Sequence, residues 1–303
     1  MSTPLASRFQ KVLIVGANGQ LAQAIAHATP ENVECVLVTR ADLDITDESA
    51  VSKIIETVQP DCIFNGAAYN LVDKAETEGA RDAIEINTLG VANLARACRD
   101  ASTPLVHFST DFVFNGTKST PYVETDATQP LGIYAASKLA GENIAISTSP
   151  QNFVIRVCRL FGPTHTDGAG SSKKPSGNFP LLMLRLAQMR DSVKVVNDQI
   201  GTPTYTPDLA RAVWQLIEKS DGGLFHLSND GEVSFADYAR AIFEIAGANC
   251  EVISVTSAEY GAAARRPEYS TLSNAKAHNV GVEPLRDWKD ALREFLENEA
   301  TAE

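Results

Sequence analysis

The chain has 303 residues, 44% of them hydrophobic and 21% charged, and a formal net charge of −12. This composition is ordinary for a globular protein, and the acidic balance argues against a nucleic-acid binder, which needs a basic face. No apolar run reaches the roughly 18 residues needed to span a bilayer, and no secretory apolar segment opens the chain, so a cytoplasmic protein without membrane contact is expected.

In chain order, Lys11-Val-Leu-Ile-Val15 reads as a short apolar strand. Gly16-Ala-Asn-Gly19-Gln-Leu-Ala22 follows, and Gln23 to His27 continues as a helix. A glycine turn between strand and helix suits a dinucleotide. The first glycine permits the turn, the second lets the backbone approach a pyrophosphate, and the helix N-terminus offers free N–H groups. Further strands are expected at Val33–Thr39, Asp61–Asn65, Pro104–Ser109 and Asn152–Cys158, with helices at Asp47–Val58 and Ala80–Asp100 between them. This alternation predicts an α/β fold, a doubly wound parallel sheet with ligands beyond the carboxyl ends of its strands. Those ends carry Gly16, Thr39-Arg40, Ala67-Ala68 and Ser109-Thr110. The five cysteines, Cys35, Cys62, Cys98, Cys158 and Cys250, are scattered with no Cys-x-x-Cys, so reduced and mostly buried thiols are expected.

Tyr134 and Lys138 stand four residues apart in Ile133-Tyr-Ala-Ala-Ser-Lys-Leu-Ala-Gly-Glu142. In a helix they share one face. A neighbouring ammonium is expected to lower the phenol pKa and fit it for proton transfer to a carbonyl oxygen. Alone, such a pair is usually a surface coincidence. The glycine turn and Ser109-Thr-Asp111 give it meaning.

Taken together, these segments resemble the extended short-chain dehydrogenase/reductase superfamily, and within it the dTDP-4-dehydrorhamnose reductase family. The motifs are Gly16–Leu21, Asp42–Asp47, Asn65–Glu76, Ile86–Thr88, Ser109–Gly116, Glu124–Asp126, Tyr134–Glu142, Asn178-Phe179, Met183–Ala187, Asn197–Thr204, Arg266-Pro267 and Ser270. The resemblance implies an NAD(P)-binding Rossmann domain, mainly residues 1–162. It also implies a smaller α/β nucleotide-sugar-binding domain, mainly 163–303, with the chain crossing between the two. It implies hydride transfer from NADPH or NADH to a 4-keto-6-deoxy sugar on a nucleotide. Tyr134 would donate the proton, Lys138 would lower its pKa and hold the nicotinamide ribose, and Thr110 would bond the substrate oxygen. Cofactor contacts are implied at Gly16, Asn18, Gly19, Gln20, Leu21, Asp44, Ile45, Ala67, Ala68 and Tyr69. Arg40, after the second strand, tilts the choice towards NADPH through the 2′-phosphate. Some relatives bind magnesium at a subunit interface, but no compact carboxylate cluster is visible here and no metal site is assigned. A homodimer is a possible assembly.

Two positions depart from the family. Phe112 stands where a Tyr is common, and Arg159 stands where a Trp packs on the sugar. Phe112, Arg159, Asn178 and Arg266 are nonetheless the expected substrate contacts, with Arg159 able to pair with an anion and Arg266 with a diphosphate. The stretch Pro163–Gly177, rich in Gly, Ser and Thr, is either a lid or a surface insertion. Helices at 178–189, 206–219 (capped by Thr206), 234–246 and 287–297, with strands at 193–196 and 223–226, are expected to build the smaller domain. The same scaffold carries a non-catalytic member, the regulatory subunit of methionine adenosyltransferase, and also epimerases and dehydratases. A binding protein and an epimerase therefore stay open beside the reductase. Phe112 in place of a second acid weighs against a dehydratase.

Overall fold

The computed structural model describes residues 8–163 and 177–302. The possible lid, apart from its end residues Pro163 and Gly177, lies outside the described residues.

The first half alternates strand and helix: β1 (Lys11–Val15), α1 (Gln20–His27), β2 (Glu34–Val38), α2 (Glu48–Val58), β3 (Cys62–Asn65), α3 (Val72–Ala75), α4 (Ala80–Ile84), α5 (Val91–Asp100), β4 (Leu105–Thr110), α6 (Ile133–Thr148) and β5 (Phe153–Val157). Then come β6 (Leu160–Phe161), α7 (Phe179–Met189), β7 (Ser192–Val196), β8 (Ile200–Gly201), β9 (Thr204–Tyr205), α8 (Thr206–Lys219), β10 (Gly223–His226), β11 (Val233–Ser234), α9 (Phe235–Ala246), β12 (Glu251–Val255), α10 (Ser257–Tyr260), α11 (Ala275–Asn279) and α12 (Trp288–Ala302).

Six strands form one sheet in the order β2-β1-β3-β4-β5-β10, and every pairing in it is parallel. Connections leave β1 in opposite directions, so the crevice of this doubly wound sheet opens between β1 and β3. One face packs α1 and α8 through Val12, Ile14, Phe64, Phe153 and Trp214. The other packs α2, α5 and α6 through Leu13, Val51, Ile63, Leu94 and Ala145. Burial on both faces explains why the strands read as continuous apolar runs.

The expected placement of residues 206–226 needs correction. Strand β10 pairs with β5 at the edge of the large sheet. Helix α8 lies on α1, with the Trp214 ring 5.2 Å from that of Phe64 and its indole N–H donating to the Ile25 carbonyl at 3.2 Å. Both elements therefore belong to the large layer. Tyr205, not Thr206, occupies the N-cap of α8. The smaller unit is built from α7, α9 and α12 around Phe161, Tyr205, Tyr238 and Phe295, with β7 and β12 paired in parallel beside them.

The expected helix 80–100 is also interrupted. Residues Glu85–Gly90 form a π-turn between α4 and α5. Gly141 of α6 faces it, and a Cβ there would run into the Asn87 carbonyl. The bulge and the glycine together bring α6 close to the α4–α5 segment. Among the described residues no helix is long and apolar enough to cross a membrane.

Candidate active site

Chemistry-bearing side chains gather at the carboxyl edge of the sheet, where β1, β3 and β4 end. Gly16 has φ +75°, a conformation that glycine adopts without strain. A Cβ there would sit 2.6 Å from the Ala67 nitrogen, so the turn can lie this close to the end of β3 only because residue 16 has no side chain. Gly66 accepts Ala22 in the same way, with the alanine methyl 3.1 Å from where a Cβ would stand. Gly19 is the N-cap of α1 and supplies no side-chain cap, which leaves the first amides of that helix, including Gln20 and Leu21, to bind an anion. Asn18 is exposed at the rim, and the buried Oε1 of Gln20 has no protein partner.

Around this turn, Arg40 is exposed and reaches Asp44 at 3.4 Å. The Asp44 carboxyl is held below its usual range, chiefly by the Thr46 amide. The Ile45 side chain is in the core beneath Gly90, so it cannot itself face a ligand. Ala67, Ala68 and Tyr69 line the loop after β3 and are partly buried. Asn65 braces the loop by accepting the Ala67 N–H at 3.1 Å, while its amide lies 3.1 Å from His107 Nδ1. His107 is wholly buried, and desolvation holds its pKa well below the ordinary value, so it is neutral.

Thr110 ends β4, and Tyr134 and Lys138 come from the first turns of α6. Their exposures are only 7%, 9% and 4%, so all three are buried at the carboxyl end of β4. The Tyr134 phenol is hydrogen-bonded to Thr110, and its ring meets Phe112 edge to face at 6.2 Å. Lys138 Nζ donates to the Phe108 carbonyl at 2.6 Å. The expected depression of the phenol by Lys138 is not what the surroundings produce. Burial pushes the Tyr134 pKa up, Asp111 adds to this, and the Thr110 bond opposes it. Lys138 is lowered to about 8 by burial, with Glu142 one turn further on holding it up. The pair is thus a protonated phenol beside an ammonium that ionises near neutrality.

Asp111 is turned inward. Its carboxylate accepts from the Thr110 hydroxyl at 3.1 Å and from the Cys158 thiol at 3.1 Å, and burial raises its pKa. Glu142 is buried against Arg156, which also lies 3.3 Å from His226 Nε2.

Three expected substrate contacts are committed to the protein. Arg159, at φ +46°, donates to the Val233 and Gln199 carbonyls at 2.8 Å each and stacks 3.8 Å from the Phe235 ring centre. That places its guanidinium in the packing between β6, β11 and α9 rather than towards an anion. Asn178 caps α7, accepting the Leu181 N–H at 3.2 Å and donating to the Gly162 carbonyl at 2.8 Å. Arg266 forks onto Asp73 at 2.7 and 3.1 Å. Phe112 is not committed in this way; its ring packs edge-on against Tyr134.

Sequence reasoning gave no role to Asn87 or Glu76, although both lie within the quoted motifs. The Asn87 amide accepts the Tyr69 N–H at 2.9 Å and donates to Tyr69 O and Ser137 Oγ at 3.1 Å each, tying the loop after β3 to α6. Glu76 Oε1 accepts the Ile133 N–H at 2.6 Å. Among the described residues no group of three or more His, Cys, Asp or Glu could hold a metal ion.

Comparison with known proteins places the chain in a lineage. A family profile described as "RmlD substrate binding domain" matches residues 10–301. The chain is 37% identical over 293 residues to the Bacillus subtilis spore coat polysaccharide biosynthesis protein SpsK, covering 96% of this chain and 99% of that protein. It is 37% identical over 291 residues to the dTDP-4-dehydrorhamnose reductase of Mycolicibacterium smegmatis, covering 95% and 85%. The fold superposes with a TM-score of 0.88 on the dTDP-4-dehydrorhamnose reductase of Bacillus anthracis solved in complex with NADP, at 34% identity over 95% of this chain and 99% of that one. The chain belongs to the RmlD substrate binding domain family.

Proposed function

We propose that this protein reduces the 4-keto group of a dTDP-linked 4-keto-6-deoxy sugar, dTDP-4-dehydrorhamnose first among them, with NADPH or NADH. The observation that carries this reading is that Thr110, at the end of β4, partners the Tyr134 phenol while Lys138, one turn along α6, donates to the Phe108 carbonyl of the same strand, at the carboxyl edge of the sheet that also carries the Gly16–Leu21 turn.

The residues fit a dinucleotide. The Gly16 turn crosses β3 only because it lacks a Cβ, and the uncapped start of α1 provides amides suited to a pyrophosphate. Ala67, Ala68 and Tyr69 would flank the cofactor, Asp44 would lie towards the ribose, and Arg40 would meet a 2′-phosphate after leaving Asp44. When bound, the nicotinamide supplies a hydride to the keto carbon. The chain contributes a proton and a fixed geometry. Tyr134, kept as a neutral phenol by burial, donates its proton to the oxygen as negative charge develops there. Thr110 orients the phenol and shares that oxygen. Lys138, one turn further along α6 and held on the Phe108 carbonyl, would place its positive charge against the nicotinamide ribose. Phe112 offers an apolar edge without a hydrogen bond.

Asp111 argues for reduction over dehydration. An elimination needs a second acid or base facing the sugar, and this carboxyl is spent on Thr110 and Cys158.

NADPH oxidation is followed with dTDP-4-dehydrorhamnose, comparing wild type with Tyr134→Phe. Wild type should turn over, and the variant should bind NADPH normally with kcat lower by about 10²–10⁴. A protein that binds NADPH but never oxidises it with any 4-keto nucleotide-sugar would be the non-catalytic alternative. A Tyr134→Phe variant of undiminished kcat would remove the phenol from the chemistry.

A further inference from the structure

Helix α6 begins without a cap of its own. Its N-cap is Gly132, which has no side chain, and the catalytic phenol follows two residues later. The lead-in is held at some distance from the helix, through the Gln129 N–H on the Val113 carbonyl at 2.8 Å. The first free amide of the helix, that of Ile133, is instead bound by Glu76 Oε1 at 2.6 Å, from 57 residues upstream. Glu76 is the residue after α3, in the loop that leaves β3 through Ala67, Ala68 and Tyr69. It therefore ties the start of the catalytic helix to the wall expected to flank the cofactor.

Gly132 is part of the same device. A Cβ there would meet Glu76 Oε1 at 2.5 Å, its Cδ at 3.0 Å and its Oε2 at 3.3 Å, and these are its three nearest atoms. The glycine leaves room for the carboxylate and for nothing else. A carboxylate on a helix N-terminal amide is a charge-assisted bond favoured by the helix dipole.

We propose that Glu76 is a positioning residue for the reduction: by capping α6 from the cofactor-side loop, it sets the distance between the Tyr134 phenol and the bound cofactor. This rests on the reductase reading given above. Displacement of a reacting group by about 1 Å can cost a factor of about 100 in rate. Loss of the cap is therefore expected in kcat rather than in cofactor affinity.

Four variants test this: Glu76→Ala, Glu76→Gln, Gly132→Ala and the double variant Glu76→Ala with Gly132→Ala. In Glu76→Ala, kcat should fall by about 10- to 100-fold while the NADPH dissociation constant stays within about threefold. Glu76→Gln keeps an acceptor of the same reach and should retain at least about a third of wild-type kcat. Gly132→Ala displaces only the end of a flexible side chain, so it should reproduce the kcat loss with little change in thermal midpoint. In the double variant the new methyl has nothing to displace, and kcat should match Glu76→Ala alone. A cap that serves only stability would lower the midpoint of Glu76→Ala and leave kcat intact, and that result overturns the proposal, as does a multiplicative loss in the double variant. Should wild type itself fail to turn over, the reductase reading falls. Amide exchange at Ile133–Ala135 then still judges the cap: faster exchange there in Glu76→Ala, unchanged in Glu76→Gln, sustains it, and equal exchange in all three proteins refutes it.

Discussion

Lys138 should make the protein less stable at neutral pH than it would be without it. The residue is 4% exposed, and burial lowers its pKa from 10.5 to about 8. At ~1.4 kcal/mol per pH unit, that drop corresponds to about 3 kcal/mol of folding free energy lost at pH 7. Replacing Lys138 by Met keeps much of the volume and removes the charge. It also strips the Phe108 carbonyl of a donor, worth about 1 kcal/mol. The Lys138→Met variant should therefore be more stable than wild type by about 2 kcal/mol at pH 7. The sign of the pH dependence follows from proton counts. Below pH 8 the lysine is charged in both states, and the penalty is complete. Between about 8 and 10.5 the unfolded chain holds a proton that the folded chain has released, so wild-type stability climbs with pH. The gap between variant and wild type should close across that window and end slightly negative, while titrating groups that do not act on Lys138 cancel in the difference. Urea denaturation of both proteins at half-unit steps from pH 7 to 10.5 measures it. A gap that stays flat across the range would refute the reasoning, because the ammonium would then not be desolvated in the folded protein. The variant should also be inactive, which makes Lys138 a case of stability given up for function.

Two further outcomes are expected. Arg159→Trp, which restores the family's aromatic residue, should lower stability by about 3 kcal/mol by stripping the Val233 and Gln199 carbonyls of a charged donor, and should not improve kcat/KM on dTDP-4-dehydrorhamnose. Improved turnover with unchanged urea midpoint would mean that Arg159 leaves this packing in solution. Gly141→Ala should cost about 1–3 kcal/mol by overpacking against the Asn87 carbonyl, and circular dichroism melts that match wild type would show that the π-turn gives way easily.

The large sheet was legible because its strands are buried on both faces and therefore read as unbroken apolar runs between turn signals. That Tyr134 and Lys138 share the first turns of one helix was legible because they lie four residues apart, a spacing that needs no tertiary knowledge. Partners of long side chains were not legible. Arg159 finds its two carbonyls 40 and 74 residues further along, and nothing local distinguishes a guanidinium bound that way from one waiting for an anion. Glu76 has its partner 57 residues away, so its place in a motif said nothing of what it holds. The π-turn escaped because one extra residue in a helix barely disturbs the apolar period. Strand β10 was assigned to the wrong layer for a simpler reason: four residues, Gly223-Leu-Phe-His226, carry no mark of which sheet they will join.

That late return of the chain has a consequence for how the protein comes apart. After α7 and β7 the chain goes back to lay α8 on α1 and to add β10 to the sheet edge, leaves again for α9 and β12, and returns once more to bury Ala277 of α11 in the sheet's core before ending in α12. Neither layer is a contiguous piece of sequence, so neither is complete until most of the chain has been synthesised. A ribosome-bound N-terminal half would still expose the side of β5 that β10 covers and the apolar surface on which Trp214 rests. Folding is accordingly a late, concerted event governed by contacts distant in sequence. The two layers are therefore expected to melt together, in a single transition.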